Sequence, residues 1–336
     1  MIYKPGADEV LQVGPMGWVG SPDQERKALD TLQSAVPIVF SSTYPSDIMP
    51  EIETKWNLFQ KSKGRHDGSC DLTLLDDFVF GRNYAWEDQF IGSCVISNTF
   101  RGHVKRQLIQ TALFGQPVEW LGKEEFGPKS IAPYAPWSYG MMRKRGNLRG
   151  GDGGFCEAMG QSLLLDGVLP CNSPLLLTLL KQLGADTEKD FPEPRSNRIY
   201  RAFGDWKYND ILLPDACCRL LDSDVVTSVD QQVELGKVCK PLFQCSMIAI
   251  KKVGTHKDGF AIHARDTQNQ WAHNMGWQGF FIASDGRRFH RLSNESWGDE
   301  IIYNIPDEEL DDWYKRRLPS TMSIGQIDLK LSKFEV

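Results

Sequence analysis

A cysteine at the tip of a helix and an imidazole further along could act together on a carbonyl carbon. Cys94 lies in WEDQFIGSCVISNTFRGHVKRQLIQTAL (86–113), just after Gly92-Ser93 and ahead of a helical pattern. With Ser93 as N-cap, Cys94 falls in the first turn, where unpaired N–H groups and the helix dipole favour thiolate over thiol. A thiolate is the nucleophile of cysteine hydrolases. It needs an imidazole to take and return its proton, and a third group to orient that ring. Of the six histidines, His273 in WAHNMGWQGFF opens a strand pattern that leads into RLSNESWGDE, where Asn294 stands. His66 sits in a polar loop, His103 on the Cys94 helix one turn too far along, and His256 in the THKDG turn. His263 and His290 fall within strand-like runs. Cys156 also opens a helix after glycines and is the rival nucleophile. The plain alternative for either thiol is a buried structural role.

The elements that must position these groups change character along the chain. Ile96, Phe100, Val104, Leu108 and Ala112 recur every fourth residue and share one apolar stripe; Arg101, Lys105 and Arg106 fall off it, toward solvent. Gly115 and Pro117 close that helix. Residues 1–80 are punctuated by Gly, Pro and Ser around one helix pattern, Asp23 to Ala35, with SAVPIVFSS as a short strand and KSKGRHDGSC as an exposed loop. They read as an arm packed on the main body or on a partner. Residues 81–226 read as a helical lobe: after the Cys94 helix come the Pro-rich link FGPKSIAPYAPWSYGMMRKRG, a helix from Phe155 to Leu165, another from Pro174 to Leu183, and a loop from Phe191 to Asn209. Residues 227–336 read as a β lobe. A helix from Val229 to Val238 precedes the strand runs LFQCSMIAI, FAIHAR, GWQGFFIAS and RFHRLS, with a turn at Asp285-Gly286 and a C-terminal tail. A helical half followed by an antiparallel β half is an α+β architecture of two lobes with a cleft between them.

Composition narrows the class of protein. At 336 residues, 41% hydrophobic and 24% charged, the chain reads as an ordinary globular protein with room for two lobes. A net charge of −6 argues against a general nucleic-acid binder, and the cluster Met141 to Arg145 reads as a solvated face or turn. No apolar run is long enough for a membrane span and the N-terminus carries no export pattern, so the expected place is the cytoplasm. The eight cysteines show no CxxC and no zinc-ligand spacing, so the expectation is reduced thiols without metal.

Five segments in order resemble papain-like cysteine peptidases over roughly residues 83–303. IGSCV preceded by Asp88-Gln89 resembles the nucleophile segment, WAHNMGWQGF the histidine strand, and SNESWG the asparagine motif. GGDGGFCEAMGQSLLLDGVLP is similar to the family's CNGG-x-x-x-x-A-x-x-Y-x-x-x-x-G-V stretch, and VDQQVELGKVCKPLFQCSMIAI to the helix and Pro-led strand that open its β lobe. The resemblance implies a papain-like fold and peptide-bond hydrolysis, with a peptide or protein as substrate and no cofactor. By position it makes Cys94 the nucleophile, His273 the base and then acid, Asn294 the orienting group and Gln89 an oxyanion-hole donor. It makes Trp297 a shield for the pair, and Gly153 and Gly154 the backbone that borders an extended peptide.

The chain also departs from the pattern. The Gln89–Cys94 interval is one residue short, which leaves Asp88 or Gln89 for the oxyanion position. Glu295 interrupts the asparagine motif and competes with Asn294. Cys94 to His273 exceeds the usual interval of roughly 130–150 residues. Val95 replaces a tryptophan, and Ile91 and Gly151 stand where the family has a disulfide. These features resemble divergent bacterial and phage members, in a cytoplasm or a virion. Two other readings stay open: a papain-fold structural or binding protein such as a phage virion component, its arm contacting a protein assembly, and a thiol amidase or transferase on cell-wall peptides.

Overall fold

The computed structural model describes residues 57–58, 60–75, 94–96, 99–100, 102–103, 105–106, 133–149, 153–185, 197–246, 248–270, 273–294, 302–325 and 327. The Asp23–Ala35 helix and the SAVPIVFSS strand expected from the sequence lie outside them. Strands β1 (Cys70–Asp71), β2 (Val225–Val226), β3 (Leu242–Ser246), β6 (His273–Ile282), β7 (Arg288–Ser293), β8 (Ile302–Pro306) and β9 (Pro319–Ser323) form one antiparallel sheet. Its order is β2-β9-β3-β6-β7-β8, with β1 added to β6, while β4 (Ile250–Thr255) and β5 (Ala261–Arg265) pair separately. The helices with complete bounds are α1 (Ala135–Arg145), α2 (Cys156–Leu165), α3 (Pro174–Gln182), α4 (Asn197–Gly204), α5 (Asn209–Leu212), α6 (Val229–Lys237) and α7 (Asp307–Lys315). The class is α+β, as the alternation of patterns along the chain requires.

Two apolar cores follow from this division. Tyr134, Trp137, Met141, Leu176, Leu180 and Phe203 pack helix on helix among α1, α3 and α4. A larger core joins Cys94, Ile96 and Phe100 to α2 and the sheet through Met159, Phe243, Met275 and Trp277. Caps set the helix starts: the Ser173 and Ser228 hydroxyls accept the backbone N–H groups of Leu176 and Gln231 at the heads of α3 and α6. No helix among the described residues is long and apolar enough to cross a membrane.

Four expectations are corrected. The Pro-rich link contains α1. Pro136 sits in its first turn, where a missing N–H breaks no intrahelical bond and a fixed φ suits the helix. Arg143, read as part of a solvated cluster, is buried and donates to the carbonyls of Gly153 (2.7 Å) and Leu148 (3.1 Å). The loop from Phe191 to Asn209 holds α4, whose Ile199 and Phe203 stand one turn apart and are buried. It crosses α1 closely enough that a Cβ on Gly140 would lie 2.4 Å from the Phe203 carbonyl oxygen. The C-terminal tail supplies β8, α7 and β9, and β9 lies inside the sheet between β2 and β3. Leu310, Trp313 and Tyr314 give α7 one buried face, and Asp307, Glu308 and Glu309 complement the dipole in its first turn.

The largest correction concerns the helix that begins at Cys94. Its described residues are helical from Cys94 to Arg106, and Ile96 and Phe100 are buried as the stripe predicts. Lys105 and Arg106, expected in solvent, are buried too. All the described residues of this helix are buried, so Lys105 and Arg106 must find oxygen inside the protein. Arg106 donates to the carbonyls of Gly325, Val238 and Cys239 at 3.0–3.1 Å, and burial brings its pKa down to about 10. Lys105 Nζ donates to the side-chain oxygen of Gln278 on β6.

His103, on the same helix, makes a prediction about acid. It is fully buried and its Nε2–H donates to the Cys218 carbonyl at 3.1 Å. Burial lowers its pKa from 6.5 to about 4, against the opposing effect of that carbonyl. Between those two values the unfolded chain holds a proton that the folded chain refuses, so acid favours unfolding there. The loss reaches about 3 kcal/mol at the lower end of the window. His103→Gln keeps a donor for the carbonyl and does not titrate, so the urea midpoint should fall less between pH 6.5 and 4. An equally steep fall in the variant would assign the acid sensitivity elsewhere.

Candidate active site

His273 opens β6 and Asn294 follows the last residue of β7, so the β6–β7 pairing brings them together. Gly276 faces Ser293 and Trp277 faces Leu292 in that pairing, which sets Asn294 diagonally across from His273. His273 Nε2 lies 2.8 Å from Asn294 Oδ1, and both side chains are fully buried. An amide oxygen only accepts, so Nε2 carries the hydrogen and the lone pair of the neutral ring sits on Nδ1. Tyr303 on β8 lies in the same neighbourhood. Burial pushes its pKa up to about 12, with the Asn294 amide acting in the opposite direction.

The other imidazoles are committed elsewhere. His290 accepts Trp277 Nε1–H at Nδ1 (3.2 Å) and donates from Nε2 to Asp307 (2.6 Å), leaving no lone pair to offer. Burial also lowers its pKa despite the carboxylate, which keeps the ring neutral. His256 accepts the Asp258 N–H at Nδ1 (3.1 Å) and meets Asp285 through Nε2 (2.9 Å). His263 accepts the Asn304 N–H at Nδ1 (3.1 Å). His66 is exposed, in the loop that leads to β1. Among these rings, His273 combines a tautomer fixed by a neutral amide with a lone pair on the opposite nitrogen.

Cys94 stands at the start of the described part of its helix, 0% exposed and within the main core. Cys156 begins α2, and its sulfur accepts from Asn274 Nδ2 at 3.3 Å, which also lies 3.3 Å from the sulfur of Cys245. The Cys156 thiol also faces the Phe243 carbonyl, 4.0 Å away. Gly153 adopts φ +87°, its N–H donates to the Tyr139 hydroxyl (3.0 Å), and its carbonyl accepts from Arg143. A Cβ on Gly154 would collide with the Met142 side chain, 2.1 Å from Cε. Gln89, Glu295 and Trp297 lie outside the described residues.

Sequence reasoning missed two polar residues tied to this site, Lys105 and Gln278. The signal for Gln278 was a glutamine next to glycine inside an apolar strand, which marks a β-bulge. The register shifts between Trp277 and Phe280, and Gly279 takes φ +88°. A Cβ there would lie 1.8 Å from the Cys70 carbonyl oxygen, so glycine admits both the bulge and β1.

No family model matches the sequence, and no curated protein matches it. Among solved structures the chain is similar to xylellain, a cysteine protease from Xylella fastidiosa. That likeness covers 95% of this chain and 100% of that one, at 15% identity and a TM-score of 0.47. It is similar to the proform of Amb a 11, a cysteine protease and major ragweed pollen allergen, over 92% of this chain and 88% of that one, at 12% identity and a TM-score of 0.44. A third likeness is to digestive procathepsin L 3 of Tenebrio molitor larval midgut, over 90% and 93% at 11% identity, with a TM-score of 0.39.

Proposed function

We propose that the chain is a papain-like cysteine peptidase of the divergent bacterial or phage kind, acting through an acyl-enzyme on Cys94. The observation that carries this reading is the 2.8 Å bond from His273 Nε2 to Asn294, which leaves Nδ1 as the basic atom. On this reading Nδ1 takes the Cys94 proton as the thiolate adds to the peptide carbonyl. The proton passes to the leaving amine as the C–N bond breaks, and water then hydrolyses the thioester. The Cys94 N–H and Gln89 stabilise the oxyanion, and Trp297 shields the His273–Asn294 pair. Gly153 and Gly154 border the peptide. With its N–H and carbonyl engaged by α1, Gly153 contributes a surface without a side chain. No cofactor enters.

Element lengths support the same reading. From Lys105 back to Cys94 is eleven residues, about 16 Å at the rise of the helix in which the described ones lie. From Gln278 back to His273 is five residues of strand, also about 16 Å. Lys105 and Gln278 are bonded, so an aligned helix and strand bring sulfur and imidazole level. At the other end of the helix, Gly102 abuts Pro241 and Ile324, whereas His273 pairs with Ser246 at the far end of β3.

One observation favours a second reading, a structural protein with a vestigial site. Cys94, His273 and Asn294 are all closed to solvent, so a peptide reaches them only after their cover is displaced. Treatment of the native protein with an epoxysuccinyl peptide, followed by peptide mapping, separates the two. A peptidase carries the adduct on Cys94 in preference to Cys156. Adducts spread over the thiols in order of exposure would establish the vestigial site.

A further inference from the structure

We infer that Lys105 and Gln278 are positioning residues that fix the nucleophile helix against the strand end carrying Asn294. The inference rests on the proposed roles of Cys94, His273 and Asn294. Lys105 belongs to the Cys94 helix and its Nζ donates to Gln278 Oε1. That contact sets the amide's orientation and turns its Nε2 toward Ser293, whose Oγ it meets at 3.0 Å. The Ser293 hydroxyl in turn donates to the Gly276 carbonyl at 3.2 Å. Ser293 is the last residue of β7, and the next residue, Asn294, holds His273. A directional path of hydrogen bonds therefore runs from the Cys94 helix to Ser293, the residue next in the chain to the one that sets the imidazole.

Each link has a physical reason to be specific. A buried ammonium needs an acceptor, and Gln278 is aimed at it by the bulge that Gly279 makes possible. An amide accepts from the cation at one end and donates to the hydroxyl at the other, which leaves the hydroxyl proton for the Gly276 carbonyl; a carboxylate would take that proton itself. Ser293 lies where the chain leaves the sheet, and a strand end without a side-chain tie is free to fray. Losing the tie should therefore loosen Asn294 before it loosens the sheet.

The experiment reads the His273 Nε2–H by NMR in the full-length protein, which does not depend on activity. In the native chain this imidazole proton should exchange slowly. Gln278→Met and Lys105→Met should each accelerate its exchange at least tenfold, with amide protection in β3 and β6 retained. Gln244→Met, equally buried one strand away, should leave the exchange unchanged. Epoxysuccinyl labelling of Cys94 in the same samples should slow at least tenfold in the two tie variants. Unchanged imidazole exchange in Gln278→Met and Lys105→Met would overturn the inference. Absence of Cys94 labelling in the native chain, with exchange still sensitive to the tie, would instead overturn the peptidase reading.

Discussion

Replacing His273 by alanine is expected to slow acylation of Cys94 by about a thousandfold or more while the protein stays folded. Proton transfer by a positioned base contributes typically 10²–10⁴-fold, and removing one member of a nucleophile–base pair disables the other. A thousandfold loss corresponds to about 4 kcal/mol of barrier. The loss should fall on the chemical step, because on the proposed reading Asn294 holds Nε2 and Nδ1 faces the reacting atoms. Asn294→Ala should cost less, about tenfold to a hundredfold, since it removes the hold on the ring and leaves the base. Single-turnover labelling of Cys94 by an epoxysuccinyl peptide, with circular dichroism as the check on folding, measures both. Equal labelling rates in the native chain and His273→Ala would remove the imidazole from the chemistry.

The meeting of His273 and Asn294 is legible in the sequence because two strand patterns joined by a turn at Asp285-Gly286 must return antiparallel. RFHRLS reads as β7 with the bounds observed, since alternation and the turn both constrain it. The bulge is harder to read. A glycine in a strand announces an irregularity, and only the pairing shows that Gln278 is thereby aimed at Lys105. Lys105 and Arg106 were misread for a general reason. Helical periodicity separates an apolar face from a polar one, but the described residues of this helix are all buried, and Lys105 and Arg106 end on a strand amide and on carbonyls that follow α6 and β9. Pro136 misled in the opposite direction, because proline suggests a linker while a first helical turn accommodates it. The tail concealed β9 because Pro319–Ser323 is short and polar, and its place inside the sheet is fixed by partners more than 70 residues earlier in the chain.

Lys240→Met is expected to remove about 3–5 kcal/mol of folding stability, a large share of what a domain of ordinary stability holds. Lys240 Nζ lies between Asp222, which it touches directly, and Asp224 at 3.0 Å, and all three side chains are nearly or wholly buried. Asp224 is also held by the Ser323 hydroxyl at 2.8 Å, and the Ser323 N–H donates to its carbonyl at 2.9 Å. The cluster thus joins the segment before β2, the start of β3 and the end of β9. Methionine replaces the stem of the lysine and removes its charge, which leaves two carboxylates sharing one buried site. Arg106 also feels the charge of Asp222 and donates to backbone carbonyls. A second substitution distinguishes this account from a simple packing loss. Asp222→Asn added to Lys240→Met removes one of the two like charges, and should recover part of the stability lost, as measured by urea unfolding at pH 7. No recovery in the double variant would mean that the lysine stem, and not its charge, carries the stability.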